Sequence, residues 1–360
     1  MEKTTTENLQ GSIENSLDKR FDKDAKLKKV FVRSYSMTHD IDVSIARERD
    51  KKAADASQPI YMASVGKMFT ATLIGILKDE GKLDFEDRID KHLDKNTIED
   101  LVHENGEDIS PTLEIRNLLN HTSGIADHFW PMLEKIITDK NFKASKTDGI
   151  EWAKKETPTK KSKKSKTNYS DTNYHLLGLI IEKIRKKPFH EVLSESIFEP
   201  LNMKDSYMLG FSKPLNKRSK PVTKFFFRGR DLSSNPSYAN IDYVGGGIVS
   251  TLDDMLLFMQ ARLNNTLVSE VTDKRMHEDT ASYGLGIKYG YGVMRFQSVP
   301  LLMPKHFEMW GHAGATGAFS FYHEGFDLHI IGTFNDFNYE QRGVRFVLLN
   351  VLNPLKKLLK

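Results

Sequence analysis

Apolar and polar residues alternate in two short stretches early in the chain, first at Val30 and Val32 and then at Ile41, Val43 and Ile45. A period of two marks a half-buried strand, so the pattern predicts two strands joined by a turn over 38–40. Residues 1–24 are rich in Glu, Lys, Thr, Asn and Ser and show only faint periodicity; a flexible arm is expected there. Beyond Ser64 the period lengthens. Phe69, Leu73, Ile76 and Leu77 recur at helical spacing, and Gly81 is a natural stop. Helical patterns also cover 115–119, 130–137, 150–152 and 189–197. The strongest runs through Leu176, Leu177, Leu179, Ile180, Ile181 and Ile184, where Ser170 or Asp171 is placed to cap the helix. Val249-Ser-Thr-Leu-Asp-Asp254 predicts a capped helix reaching Leu263. Strand-like runs at 290–296, 318–322 and 328–334 precede an amphipathic terminal helix over 344–359, interrupted at Pro354. No internal repeat is present.

Composition narrows the classes. A chain of 360 residues, 39% apolar and 28% charged, is long enough for two domains, or one elaborate one, with a sizeable core. A net charge of +4 gives no reason to expect nucleic acid as a partner. The absence of cysteine rules out disulfides, thiolate nucleophiles and cysteine-held metals. The twelve histidines show no His-x-x-x-His pair with an acidic partner, so neither a metal site nor a cofactor is expected. No run approaches the roughly 20 apolar residues of a membrane span. Residues 1–28 lack the apolar core of a secretory signal. The expected location is therefore cytoplasmic if Met1 is the native start, and periplasmic or extracellular if an export signal was removed. Oligomeric state is not legible. Lys160, Lys161, Lys163, Lys164 and Lys166 read as a solvated loop rather than a nucleic-acid site, because no stacking aromatic is interleaved; the sharper alternative is attraction of an anionic substrate. Phe225-Phe-Phe227 fits the core, or failing that a cleft wall. Residues 355–360 are too short to anchor on a membrane.

Three segments carry candidate chemistry. In Ser64-Val-Gly-Lys67 a spacing of three stacks both side chains on one helix face. A serine hydroxyl is a weak nucleophile that needs a base in hydrogen-bond reach, and a lysine amine can serve. The bland reading, a capping serine and a solvated lysine, competes; the position at the mouth of a strongly apolar helix favours the chemical one. Tyr169-Ser170-Asp171 offers a phenol as proton donor or acceptor at the start of another helix. Trp310-Gly-His312-Ala-Gly314-Ala315-Thr-Gly317 is a glycine-rich strand edge that a substrate backbone can approach closely. Its bland reading is a tight hairpin with a structural histidine.

Together these segments resemble the serine β-lactamase and penicillin-binding-protein superfamily, closest to its class C branch, which includes D,D-carboxypeptidases, D-aminopeptidases and esterases. The runs Leu118-Leu-Asn-His-Thr-Ser-Gly-Ile125, Tyr169-Ser-Asp-Thr-Asn-Tyr-His-Leu-Leu-Gly178 and Gly245-Gly-Gly-Ile-Val-Ser-Thr251 are similar to that branch and follow its order. The resemblance implies a β-lactamase/transpeptidase-like α/β (α+β) fold, with an antiparallel sheet flanked by helices. It implies a sheet domain over 25–75 and 205–360 and an inserted helical domain over 76–204. It further implies a serine hydrolase with an acyl-enzyme on Ser64. Lys67 and Tyr169 would share proton transfer, and the backbone N–H groups of Ser64 and Ala315 would form the oxyanion hole. Asp171, His312, Gly314 and Ala315 would contact the substrate. That substrate would be a small acyl compound or short peptide: an ester or amide first, a D-amino-acid peptide second, a β-lactam third. A catalytically silent homologue that binds a ligand or partner is the opposing reading. One position departs from the family: Asp171 stands where the branch has asparagine. A carboxylate only accepts hydrogen bonds, pairs readily with Lys67, and repels a substrate carboxylate.

Overall fold

The computed structural model describes residues 4–49, 54–156 and 166–359. Of the lysine run, Lys160, Lys161, Lys163 and Lys164 lie outside the described residues.

Eight strands form the main sheet: β1 (Lys29–Ser36), β2 (Ile41–Glu48), β3 (Ala281–Gly284), β4 (Ile287–Tyr289), β5 (Met294–Phe296), β6 (Met309–Gly314), β7 (Ala318–His323) and β8 (Leu328–Thr333). Their spatial order is β3-β4-β5-β6-β7-β8-β1-β2, every neighbour antiparallel. The first two strands thus close against the last, so the two ends of the chain share one sheet. β2 alternates as a half-buried strand should, whereas β1 is covered on both faces. The run at 290–296 is strand only from Met294; Gly290 instead donates to the Val293 carbonyl at 2.8 Å in a tight turn.

Where a flexible arm was expected, the described residues are mostly helical. Residues Thr5–Lys23 form a helix, α1, whose first turn is closed by a capping box between Thr4 and Glu7. Leu9, Ile13 and Leu17, spaced four apart, are fully buried against β2 and the terminal helical segments. Those segments are Glu340–Phe346, a wide turn over Val347–Leu352, and Asn353–Leu358. Pro354 falls in the first turn of the last piece, where its missing N–H is not needed.

Four helices bear on the site: α2 (Lys67–Asp79), α3 (Phe129–Thr138), α4 (Asp171–Arg185) and α5 (Leu252–Leu263). Thr251 caps α5 by accepting from the Asp254 amide, as its sequence predicts. α4 is different: Ser170 occupies the capping position, but its hydroxyl donates to the Ala126 carbonyl and Asp171 turns toward Lys67, so neither caps. One core cluster packs Phe69 and Leu73 of α2 and Leu176 and Ile180 of α4 against Phe31 and Ile331 of the sheet. A second lies on the opposite sheet face, with Val30, Val32 and Ile330 under α1. A third gathers Tyr61, Phe129, Phe225, Phe227, Tyr238 and Phe337 beside the site, so Phe225 and Phe227 are core while Phe226 is half-buried with Lys28 over its ring.

Candidate active site

Ser64 is delivered by a short strand. Residues Ile60–Tyr61 pair with Ile248–Ser250, and the Met62 amide donates to the Ile248 carbonyl at 2.9 Å. The chain then turns sharply through Ala63, whose φ of 47° is unusual for a residue with a side chain, into one tight helical turn and α2. This leaves Ser64 half-buried at a cavity and Lys67, one turn on, fully buried beneath it.

Lys67 Nζ donates to Ser64 Oγ at 3.3 Å, to the Gly245 carbonyl at 3.0 Å, and to the Asp171 carboxylate in a close ion pair. All three ammonium hydrogens are thereby used. The glycine run has a steric purpose here. A Cβ on Gly245 would stand 2.5 Å from Asp171 Oδ1 and 3.3 Å from Lys67 Nζ, so only a bare backbone lets the pair rest against it.

Tyr169 sits above this pair, with Lys67 Nζ 5.0 Å from its ring centre. Its hydroxyl is enclosed and has no hydrogen-bond partner among the described residues. Burial, and then the charge of Asp171, hold the phenol well above its ordinary range, while the nearby Ser64 hydroxyl pulls the other way. His121 packs on Tyr169 with ring centres 4.2 Å apart. Its Nδ1 accepts from the Ser170 amide at 3.2 Å and from Asn173 Nδ2 at 3.0 Å, which puts the ring proton on Nε2. Burial, followed by Lys67 and His312, keeps His121 neutral.

Two further carboxyls crowd the same lysine. Asp127 Oδ1 accepts from the Asp171 amide at 2.8 Å and from the Phe129 amide at 3.4 Å. Burial and the charge of Asp171 push it up to about 7. Asp242 is buried, accepts from the hydroxyls of Tyr61 and Tyr238, and is also pushed up to about 7, by burial and then by Asp171.

β6 forms the opposite wall. A Cβ on Gly314 would stand 2.8 Å from the Met62 carbonyl and 2.9 Å from Ala63 Cβ, so glycine is what allows β6 to approach the Ser64 turn. Ser64, Asp127, Tyr169, Asp171, Gly314 and Ala315 line one cavity of about 540 Å³. Lys67 touches Ser64 from below. His312 does not reach the cavity. It is fully buried, pairs with the Tyr289 hydroxyl at 2.8 Å and the Ala313 carbonyl at 2.6 Å, and is pushed down to about 3 by burial and Lys67. Direct contact between His312 and a substrate is therefore not available in this geometry. Sequence reading missed Asp127, Asp242 and Tyr289 altogether. His121 lay inside a run already singled out, but its role shows only in the fold.

The family model described as Beta-lactamase matches residues 28–349, and the chain belongs to the β-lactamase family. It is 27% identical over 244 residues to a putative penicillin-binding protein of Bacillus subtilis, covering 66% of this chain and 56% of that one. It is 28% identical over 289 residues to a putative D-alanyl-D-alanine carboxypeptidase of Salmonella typhi, covering 71% and 64%. The chain thus spans less than two thirds of the length of these curated relatives. The solved D-amino acid amidase of Ochrobactrum anthropi superimposes with a TM-score of 0.76 at 18% identity, covering 99% of both chains. That likeness establishes the expected β-lactamase/transpeptidase-like fold.

Proposed function

We propose that the chain is a serine hydrolase that forms an acyl-enzyme on Ser64, acting on small amides or esters. The carrying observation is the half-buried Ser64 hydroxyl 3.3 Å from the buried Lys67 ammonium at the edge of a cavity of about 540 Å³. Membership of the β-lactamase family, and relatives named as carboxypeptidase and amidase, support it. In this reading the proton shared by Lys67 and Asp171 moves onto Asp171. The freed amine takes the Ser64 proton as Oγ attacks the substrate carbonyl. Tyr169 gives its hydroxyl proton to the leaving group and regains one from Lys67. Water then repeats the sequence through Lys67, Ser64 leaves protonated, and the ion pair re-forms. The amides of Ser64 and Ala315 hold the oxyanion, an interaction whose loss typically costs about 100- to 1,000-fold in rate. His312 acts as a positioning residue through Tyr289 and β6.

One observation favours a silent, ligand-binding homologue instead: all three Lys67 hydrogens are occupied, one of them by a carboxylate absent from the family pattern. Intact-protein mass spectrometry separates the two. The chain is incubated with a fluorophosphonate and assayed with a short p-nitrophenyl ester, beside Ser64→Ala. A covalent adduct and ester turnover that both vanish in Ser64→Ala are expected. Absence of adduct and turnover in the folded wild-type chain would sink the hydrolase reading.

A further inference from the structure

Basic residues crowd the seam between α1 and the terminal helical segments, away from Ser64. Arg20 of α1 and Arg342 of Glu340–Phe346 line two adjoining cavities, of about 690 and 340 Å³. Lys23 and Lys26 complete the basic wall of the larger lobe, and Arg345 that of the smaller. Against these five cations, Asp24 is the single carboxylate in either wall among the described residues. It is already used: it accepts from Arg342 at 2.7 Å, from the Tyr339 hydroxyl at 2.9 Å and from the Lys26 amide at 3.1 Å. Neither Arg20 nor Arg345 has an ion-pair partner among the described residues. Arg20 is nevertheless held in place. It is half-buried, donates to Asn350 Oδ1 at 2.7 Å and lies 5.5 Å from the Phe346 ring centre. Burial, and then the charges of Arg345 and Arg342, hold its guanidinium below the ordinary range.

From this cluster we infer that the seam is a second binding site, for a small molecule that carries a diphosphate group. Like charges gathered in a concave seam repel one another, and an anion placed among them removes that cost. Guanidinium groups fit phosphate through paired hydrogen bonds, and Arg20 is already oriented by Asn350 and Phe346, so little freedom is lost when it binds. Charge sets the size of the ligand. Five cations less one carboxylate leave an excess of four. Two phosphate groups, at about −1.5 to −2 each near neutral pH, match it, whereas one leaves half of it uncompensated. The concave shape and the half-buried arginine favour a small molecule over a flat anionic surface such as a lipid bilayer. Ser64 lines neither lobe, so this ligand is not the substrate of the acylation site, and the inference stands whether or not Ser64 acylates.

Calorimetry on the full chain, at one fixed ionic strength, compares pyrophosphate, ADP and orthophosphate. Pyrophosphate is expected to bind about 10- to 100-fold more tightly than orthophosphate. Equal affinity for ADP would assign recognition to the diphosphate alone, and tighter binding of ADP would add its nucleoside to the ligand. Arg345 is exposed and its side chain makes no hydrogen bond among the described residues, so Arg345→Gln should leave thermal melting of the free protein unchanged. It should still weaken pyrophosphate binding about 10-fold. Arg20→Gln should weaken it as much, and Arg20→Lys, which keeps the charge but not the paired donors, should lose less. Pyrophosphate that binds no more tightly than orthophosphate would overturn the inference. So would pyrophosphate binding that is indifferent to Arg345→Gln and Arg20→Gln combined. Association with phosphatidylglycerol vesicles that pyrophosphate does not displace, but that the same two substitutions abolish, would also overturn it and make the seam a lipid-facing surface.

Discussion

Lys67 is one ammonium among three carboxyls, and this arithmetic governs the chemistry of single residues around the site. Asp171 holds the ion pair, and its charge is what lifts Asp127 and Asp242 to about 7 once burial has begun the shift. A carboxyl whose pKa is higher in the fold than in the unfolded chain favours the fold when protonated. Its contribution is complete below about pH 4 and is lost as pH rises toward 7. Stability measured by urea denaturation should therefore fall for the wild type relative to Asp242→Asn between pH 4 and pH 8, by on the order of 4 kcal/mol. The buried neutral histidines His121, His128 and His312 push the other way over the same interval. They are common to both proteins and cancel in the difference. A difference that stays flat across this range would show that Asp242 is ionised throughout. Ser64 and Lys67 stood out in the chain by their spacing of three at the mouth of an apolar helix, and Tyr169 by its place in a run similar to the family's. Asp127 and Asp242 did not, since each acquires its character chiefly from burial and from the charge of Asp171, which lies 44 residues from Asp127 in the chain and reaches both only through the fold.

At the scale of elements, the site depends on how closely β6 approaches the turn before α2. Gly314→Ala adds a methyl group that the Met62 carbonyl and Ala63 Cβ leave no room for. Overpacking of this kind costs about 1–3 kcal/mol, and the strand must shift away from Ser64 to accommodate it. Displacement of the Ala315 amide should then lower the rate of Ser64 labelling by a fluorophosphonate about 100-fold, in a protein still folded by circular dichroism. Labelling at the wild-type rate would show that β6 does not hold the oxyanion. The glycine itself was visible in sequence as part of a strand edge, although the reason for it, contact with the turn that carries Ser64, was not. α1 shows the opposite limit. Its buried stripe is only Leu9, Ile13 and Leu17, one side chain wide, amid charged and polar residues. So narrow a stripe gives faint periodicity in a window, and what makes it a helix is the waiting surface of β2 and the terminal segments.

For the molecule as a whole, the inserted helical part expected over 76–204 has no core of its own. The largest apolar cluster runs without a break from Phe31 and Ile331 in the sheet, through Phe69 and Leu73, to Leu118, Leu176 and Leu193. Asp171 in that inserted part is ion-paired to Lys67 outside it. Separating the two parts would expose one cluster on both sides and unpair a buried charge, which typically costs 3–5 kcal/mol. Partial unfolding is therefore dearer than its own contacts suggest, and the chain should unfold as one cooperative unit. Trp130 and Trp152 report on the inserted part and Trp310 on β6. Replacing either group with phenylalanine lets tryptophan fluorescence follow each region separately through a urea titration. The expected outcome is coincident midpoints, matched by far-UV circular dichroism. A transition at the Trp130 and Trp152 probes well below that at Trp310 would mean that the inserted helices come away first. The Lys67–Asp171 pair would then be broken before the sheet unfolds, and the cavity wall would be a hinge rather than part of a single core.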